Sequence, residues 1–200
     1  MFPALVRFQA STSGDGAPRI AVLGPTGKFS ELLGASAGQR QVAKTSGKFY
    51  AVLFDLSGEA GTHTIRLGSN PLTVATDTEP GNNTSNGAIA CALPCFVELA
   101  QLTTETDVDW LKFTTGAMDN GKKVRVRTLP GDDQTDTIVE AFGANGTTSL
   151  AGPSSDGGYH ENFLFPTAVS ASTPYTVKIA ASPEWSDDTQ TRYDALIYLE

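Results

Sequence analysis

Two hundred residues allow one large β domain or two small ones, and a hydrophobic content of 40% argues against a disordered chain. No apolar run approaches the ~18 residues a transmembrane helix needs. A net charge of −8 without a basic stripe argues against nucleic acid as a partner, since phosphate binding needs clustered Lys and Arg.

From the start, Met1-Phe2-Pro3 runs straight into a strand-like segment without the charged and apolar regions of a signal peptide. The expectation is a removed leader or a piece of a longer chain. Period-two alternation then recurs, broken by Gly, Pro, Asn and Asp every ~8–12 residues. The first half carries it in Leu5–Phe8, Arg19–Leu23, Tyr50–Phe54 and Thr62–Leu67. Glu31-Leu32-Leu33 is the one stretch with helical character, ended by Gly34. Gly24-Pro25-Thr26-Gly27-Lys28 is too short for a phosphate loop and reads as a hairpin turn. The second half alternates in Trp110–Phe113, Val124–Arg127, Thr137–Phe142, Tyr175–Ile179 and Ala195–Tyr198. Lys122, Lys123, Arg125 and Arg127, the densest basic group, read as a solvated strand face. The fold class is therefore all-β, built of jelly-roll-like sandwich modules.

The halves resemble each other at an offset of roughly 110–120 residues, the mark of an internal repeat. Val6–Phe8 and Ile20–Leu23 match Val124–Arg127 and Ile138–Phe142, and His63–Leu67 is set against Tyr175–Ile179. By that match His63 takes the place of Tyr175 and has a structural role. The strand at Asp109–Phe113 has no match before Val6, so the first module lacks its opening strand. The expected division is an incomplete module over 1–74, an ordered acidic and amide-rich linker over 75–106, and a second module over 107–200. A sandwich lacking a strand leaves an unpaired edge, which a truncation explains, or which another chain fills by strand donation.

Cys91 and Cys95, in Cys-Ala-Leu-Pro-Cys, are open to three readings: a short-loop disulfide, a metal half-site or free thiols. The two histidines lie far away in sequence, which argues against zinc, and the disulfide is preferred. Asn82, Asn83 and Asn145 each begin an Asn-x-Ser/Thr glycosylation triplet. Trp185, in the loop Ser182–Thr191, and the pair Tyr159 and His160 are weak candidates for ligand contact. Asp187 and Asp188 read as a solvated loop.

Two acidic segments carry the chemistry. Asp77-Thr78-Glu79-Pro80-Gly81-Asn82-Asn83-Thr84 offers carboxylates and amide oxygens in a turn. Glu105-Thr106-Asp107-Val108-Asp109-Trp110 offers two carboxylates two residues apart at a strand start. Calcium takes roughly six to eight oxygen ligands in irregular geometry, and two such loops folded together would supply them. The alternative is that Asp, Asn and Gly simply make turns.

These segments, followed by Leu111-Lys112-Phe113, Thr135-Asp136-Thr137, the Gly143–Gly146 turn and Pro174–Ile179, resemble a bacterial pre-peptidase C-terminal domain over about residues 77–200. Such modules are similar to the collagen-binding domains of clostridial collagenases. The resemblance implies a jelly-roll-like sandwich attached to exported enzymes, with calcium held between the linker and the first strand. Carried over residue by residue, it implies Asp77, Glu79, Asn82, Asn83, Asp107 and Asp109 as ligands. Gly81 stands where the family usually has Asn, which shifts the amide register.

No His-Glu-x-x-His motif occurs, and the chain reads as a non-enzyme. The expected function is a secreted, calcium-stabilised accessory module, extracellular or at the cell surface. Its expected partner is a protein or polysaccharide matrix, or copies of itself. One alternative is a filament or surface-layer subunit assembled by strand donation. Another is a C-terminal fragment of a secreted hydrolase.

Overall fold

The computed structural model describes residues 3–13, 17–24, 32–36, 38–44, 47–57, 62–104, 106–130, 136–143, 145–154, 161–182 and 191–200. The fold is all-β, and the chain divides into two compact units, Met1–Leu72 and Thr73–Glu200.

Unit 1 contains β1 (Ala4–Ser13), β2 (Pro18–Leu23), β3 (Leu32–Ser36), β4 (Gly38–Ala43), β5 (Tyr50–Asp55) and β6 (Thr62–Pro71). They form two antiparallel sheets, β4-β1-β6 and β3-β2-β5. Alternation puts Phe8 and Ala10 of β1 and Ile20 and Val22 of β2 into one small core, with Ala51 and Leu53 packed against it. Leu32 and Leu33, expected to have helical character, lie in β3 instead, with Gly34 in register against Val22. A few residues cannot nucleate a helix, and an edge position beside β2 satisfies their backbone groups. Residues 25–31, which include most of the Gly24–Lys28 turn, lie outside the described residues.

Unit 2 begins with β7 (Thr73–Ala75), β8 (Ile89–Ala90), β9 (Cys95–Leu102) and β10 (Val108–Thr114). It continues with β11 (Val124–Pro130), β12 (Thr137–Phe142), β13 (Ser149–Ser154), β14 (Asn162–Leu164), β15 (Pro174–Ala181) and β16 (Thr191–Leu199). Two five-stranded sheets result, β14-β11-β16-β9-β7 and β13-β12-β15-β10-β8. The inward residues of both enclose one core, including Val126, Ile197, Leu111, Phe113, Val177 and Ile179. Phe113 stacks on Tyr175, and both contact Phe165. Residues 75–106, expected as a linker, carry β8 and β9 inside these sheets.

The repeat is visible in the topology. The order β4-β1-β6 recurs as β14-β11-β16, and β3-β2-β5 recurs as β13-β12-β15. One expected match shifts by a strand. His63–Leu67 lies in β6, which corresponds to β16, whereas Tyr175–Ile179 lies in β15, which corresponds to β5. Alternation looks the same in every strand with one buried face and does not say which sheet a strand joins. Strands β7–β10 have no counterpart among the described residues of unit 1.

Candidate metal centre

The loop after β7 is folded tightly by its glycines. A Cβ at Gly81 would sit 2.8 Å from the Thr78 carbonyl oxygen, and one at Gly87 would collide with the Gly81 carbonyl. Glycine at position 81 is thus a steric requirement of this turn. Thr84 caps the 3-10 turn Ser85–Gly87, its Oγ1 accepting from the Gly87 N–H at 3.3 Å. The Asn82 carbonyl accepts from the Trp110 N–H at 3.0 Å, which ties the loop to β10.

Asp109 lies on β10 with Leu111 and Phe113, on the face that looks into the core, and is 1% exposed. Trp110 takes the other face, where its ring meets Phe142 at 4.9 Å between centroids. From the opposite sheet the buried Tyr193 of β16 donates its hydroxyl to Asp109 Oδ2. Asn82, fully buried, donates Nδ2 to Asp109 Oδ1 and to Asp77 Oδ1, the latter at 3.0 Å. Asp77 Oδ2 accepts from the Gln101 N–H of β9 at 2.9 Å. Glu79 completes the group: one carboxylate oxygen from each of Asp77, Glu79 and Asp109 lies within 4.8 Å of the others.

In this group Glu79 and Asp109 resist ionisation. Burial above all pushes Asp109 up to about 8; Glu79 and Asp77 add to the rise, and the Tyr193 hydroxyl opposes it. Burial also raises Glu79, with Asp107 and Asp77 adding repulsion, while Asp109 and Asn83 pull the other way. The Tyr193 hydroxyl is held well above its ordinary range, first by burial and then by the charge of Asp109.

The donor set is unbalanced. Both Glu79 carboxylate oxygens, Asn82 Oδ1 and Asn83 Oδ1 are buried and meet no hydrogen-bond donor in bonding geometry. A buried acceptor without a partner costs about 1–3 kcal/mol, more if charged. A hard cation coordinated by oxygen would satisfy these atoms together with Asp77 and Asp109. The residues present therefore fit a calcium ion. No His or Cys belongs to the group, so zinc does not fit.

Asp107 departs from the expected ligand set. Its Oδ2 accepts from the Thr103 N–H and hydroxyl, both at 2.6 Å, and its Oδ1 from the Val108 N–H at 2.9 Å. It directly precedes β10, and its oxygens are taken up by Thr103 and Val108 of its own turn. Tyr193 was not legible as part of the site. Its only sequence signal is a polar-tipped aromatic in phase with Ala195 and Ile197 on a core strand.

No protein-family model and no curated protein matches the chain. Among solved structures, it is similar to a periplasmic lysozyme inhibitor of g-type lysozyme from Aeromonas hydrophila, at 15% identity and a TM-score of 0.33, over 64% of this chain and 97% of that one. The corresponding inhibitor of Salmonella Typhimurium aligns at 21% identity and a TM-score of 0.29, over 47% and 80%. Infectious bursal disease virus, Gx strain, aligns over 98% of this chain and 55% of that one, at 17% identity and a TM-score of 0.23. At these TM-scores the likeness carries no function to this chain.

Cys91 and Cys95 form a disulfide with Cα atoms 5.7 Å apart. Asn82 cannot carry a glycan in this fold, since it is fully buried and its Nδ2 is bonded to two carboxylates. Asn83 is half-buried beside it. Asn145 is exposed at a turn, where its Oδ1 accepts from the Thr147 and Thr148 N–H groups and its Nδ2 donates to Thr148 Oγ1 at 2.9 Å. His63 faces Asp55 at 3.5 Å in unit 1. Tyr159, His160, Trp185, Asp187 and Asp188 lie outside the described residues.

Proposed function

We propose that this chain is a non-catalytic, exported binding module, extracellular or at the cell surface, whose second unit is clamped by a structural calcium ion. The observation that carries the reading is the set of buried oxygens without donors: Glu79 Oε1 and Oε2, Asn82 Oδ1 and Asn83 Oδ1, gathered beside Asp77 and Asp109. A group of acceptors that a cation would satisfy is a folding device, because binding energy at a site absent from the unfolded chain adds to stability. The ion would tie the loop after β7 to the start of β10 and to β16. The carboxylates serve one another and the backbone, a staple's chemistry rather than a reaction's.

The Cys91–Cys95 disulfide supports an oxidising compartment. The resemblance of residues 77–200 to a pre-peptidase C-terminal domain supports an accessory of exported proteins that attaches to a protein or polysaccharide matrix. The test is thermal unfolding with millimolar calcium against excess chelator, with terbium luminescence excited through Trp110 as a second readout. Calcium raises the midpoint of unit 2 and quenches terbium emission by displacement, and Asp109→Asn removes both effects. A midpoint unmoved by calcium, with no terbium signal, rejects the clamp.

A further inference from the structure

One sheet face of unit 1 carries a charge that its counterpart in unit 2 neutralises. Strands β4, β1 and β6 contain no Asp or Glu, yet each contributes one arginine: Arg40, Arg7 and Arg66. Phe8 and Ala10 of β1 point into the core, so Arg7 and Gln9 take the outer face. The register sets Arg40 of β4 opposite Arg7, Gly68 of β6 opposite Arg7 on the other side, and Arg66 opposite Gln9. Arg7 and Arg66 are exposed, and Arg7 donates to the uncharged Gln9 at 3.3 Å. Like charges placed directly opposite each other weaken a sheet.

Unit 2 shows what completes such a face. Arg125 of β11 holds the place of Arg7, between Leu164 of β14 and Tyr198 of β16. It grips the carboxylate of Glu200 with Nε at 2.6 Å and Nη2 at 3.1 Å. Glu200 follows the Val124–Leu199 pair, and the residue that follows the matching Val6–Ser69 pair is Asn70. Unit 1 thus keeps the arginine, sets two more beside it, and has an amide in the place of the carboxylate.

We propose that the outer face of β4-β1-β6 binds an acidic polysaccharide, a linear chain of uronate sugars whose carboxylates take the part that Glu200 plays in unit 2. This inference names the partner class for the binding role proposed above and rests on that role, while its geometry is independent of the cation. A guanidinium fork matches a carboxylate with two parallel hydrogen bonds. Neighbouring strands lie about 4.8 Å apart, close to the length of one sugar ring, so a chain crossing the strands obliquely brings successive carboxylates to successive arginines. Gly68 supplies an open floor: a Cβ there would meet nothing within 4 Å, and a strand glycine of this kind lets a ligand approach the backbone. Gln9, Ser11, Thr64 and Asn70 fill the rest of the face on β1 and β6. They offer hydrogen bonds to sugar hydroxyls and lack the aromatic anchors on which a protein partner depends. Nucleic acid is disfavoured by the chain's net charge of −8.

The probe is a soluble oligogalacturonate, with its methyl ester as the uncharged control. Binding to the full chain is read by titration calorimetry at low ionic strength, without added calcium so that the oligomer is not cross-linked. The acid binds and the ester does not, and added salt weakens the binding. Arg7→Gln and Arg66→Gln each lower the affinity by about tenfold or more. Gly68→Val lowers it as well, by filling the floor. None of the three lowers the melting midpoint of unit 1, because none removes a packed group. Arg125→Gln, whose carboxylate partner lies within unit 2, leaves the affinity unchanged. Four results overturn the proposal: equal binding of acid and ester, affinity kept in the arginine variants, a lowered midpoint in those variants, or tighter binding of duplex DNA. A protein or neutral polysaccharide bound equally by the parent and the arginine variants leaves the binding role standing and removes this inference alone.

Discussion

Strands β5 and β6 of unit 1 and β15 and β16 of unit 2 occupy the same places in their sheets, but they meet different surroundings. Ile197 of β16 is sealed between β11 and β9, while Leu67 of β6 has β1 on one side and water on the other. Full burial of such a side chain contributes about 1.5–3 kcal/mol. The difference shows that an alternating strand secures a core position only when a neighbour closes over it. Unit 2 closes both sheets with β9 and β10, then locks the closure with the Asp109–Tyr193 contact across the core.

The largest effect that tests this contrast is a cavity on each side of it. Phe113→Ala removes a ring buried between the sheets of unit 2 and costs about 3–5 kcal/mol in denaturant unfolding. Leu67→Ala in unit 1 stays within about 0.5 kcal/mol. Equal costs would mean that the β6 edge is already covered. Next comes calcium, which at about 100 times its dissociation constant adds ~2.7 kcal/mol to unit 2 and nothing to unit 1. Calorimetry with and without chelator separates the two transitions.

A smaller effect follows from opening the short disulfide loop with Cys91→Ser and Cys95→Ser, which lowers unit 2 by about 2 kcal/mol on the chain-entropy model. Comparing its unfolding midpoint with that of the parent checks the size. A further effect is on the slope with pH, read as the change per pH unit. In the metal-free protein, Asp109 keeps its proton up to about 8 in the folded state, against an ordinary value of 3.8. The folded chain then binds more protons than the unfolded one between those values. The stability is complete below the lower value and falls as pH rises through the upper one, by at most ~1.4 kcal/mol per pH unit. Asp109→Asn flattens that slope, and an unchanged slope would place the titration elsewhere.

Much of this was legible in the residues. The clustering of Asp77, Glu79, Asn82 and Asp109 was written in two acidic segments about two dozen residues apart, since a turn and a strand start are the places where oxygen side chains collect. Asp107 is buried like Asp109, but its oxygens are taken up by Thr103 and Val108, a local turn role that counting by two does not reveal. Tyr193 was invisible because its role depends on a partner 84 residues away in sequence and in the other sheet.

By itself the chain's alternation, punctuated by Gly, Pro, Asn and Asp, determined an all-β fold with a repeated order of strands, because period two and turn chemistry are local properties. Only the tertiary structure decided which sheet each strand enters, that Asp109 faces inward beneath Asn82 and Tyr193, and that no described strand pairs with the outer edges of β5 and β6. Those outcomes depend on which neighbour completes a ladder, and neighbours far apart along the chain leave no periodic trace in it.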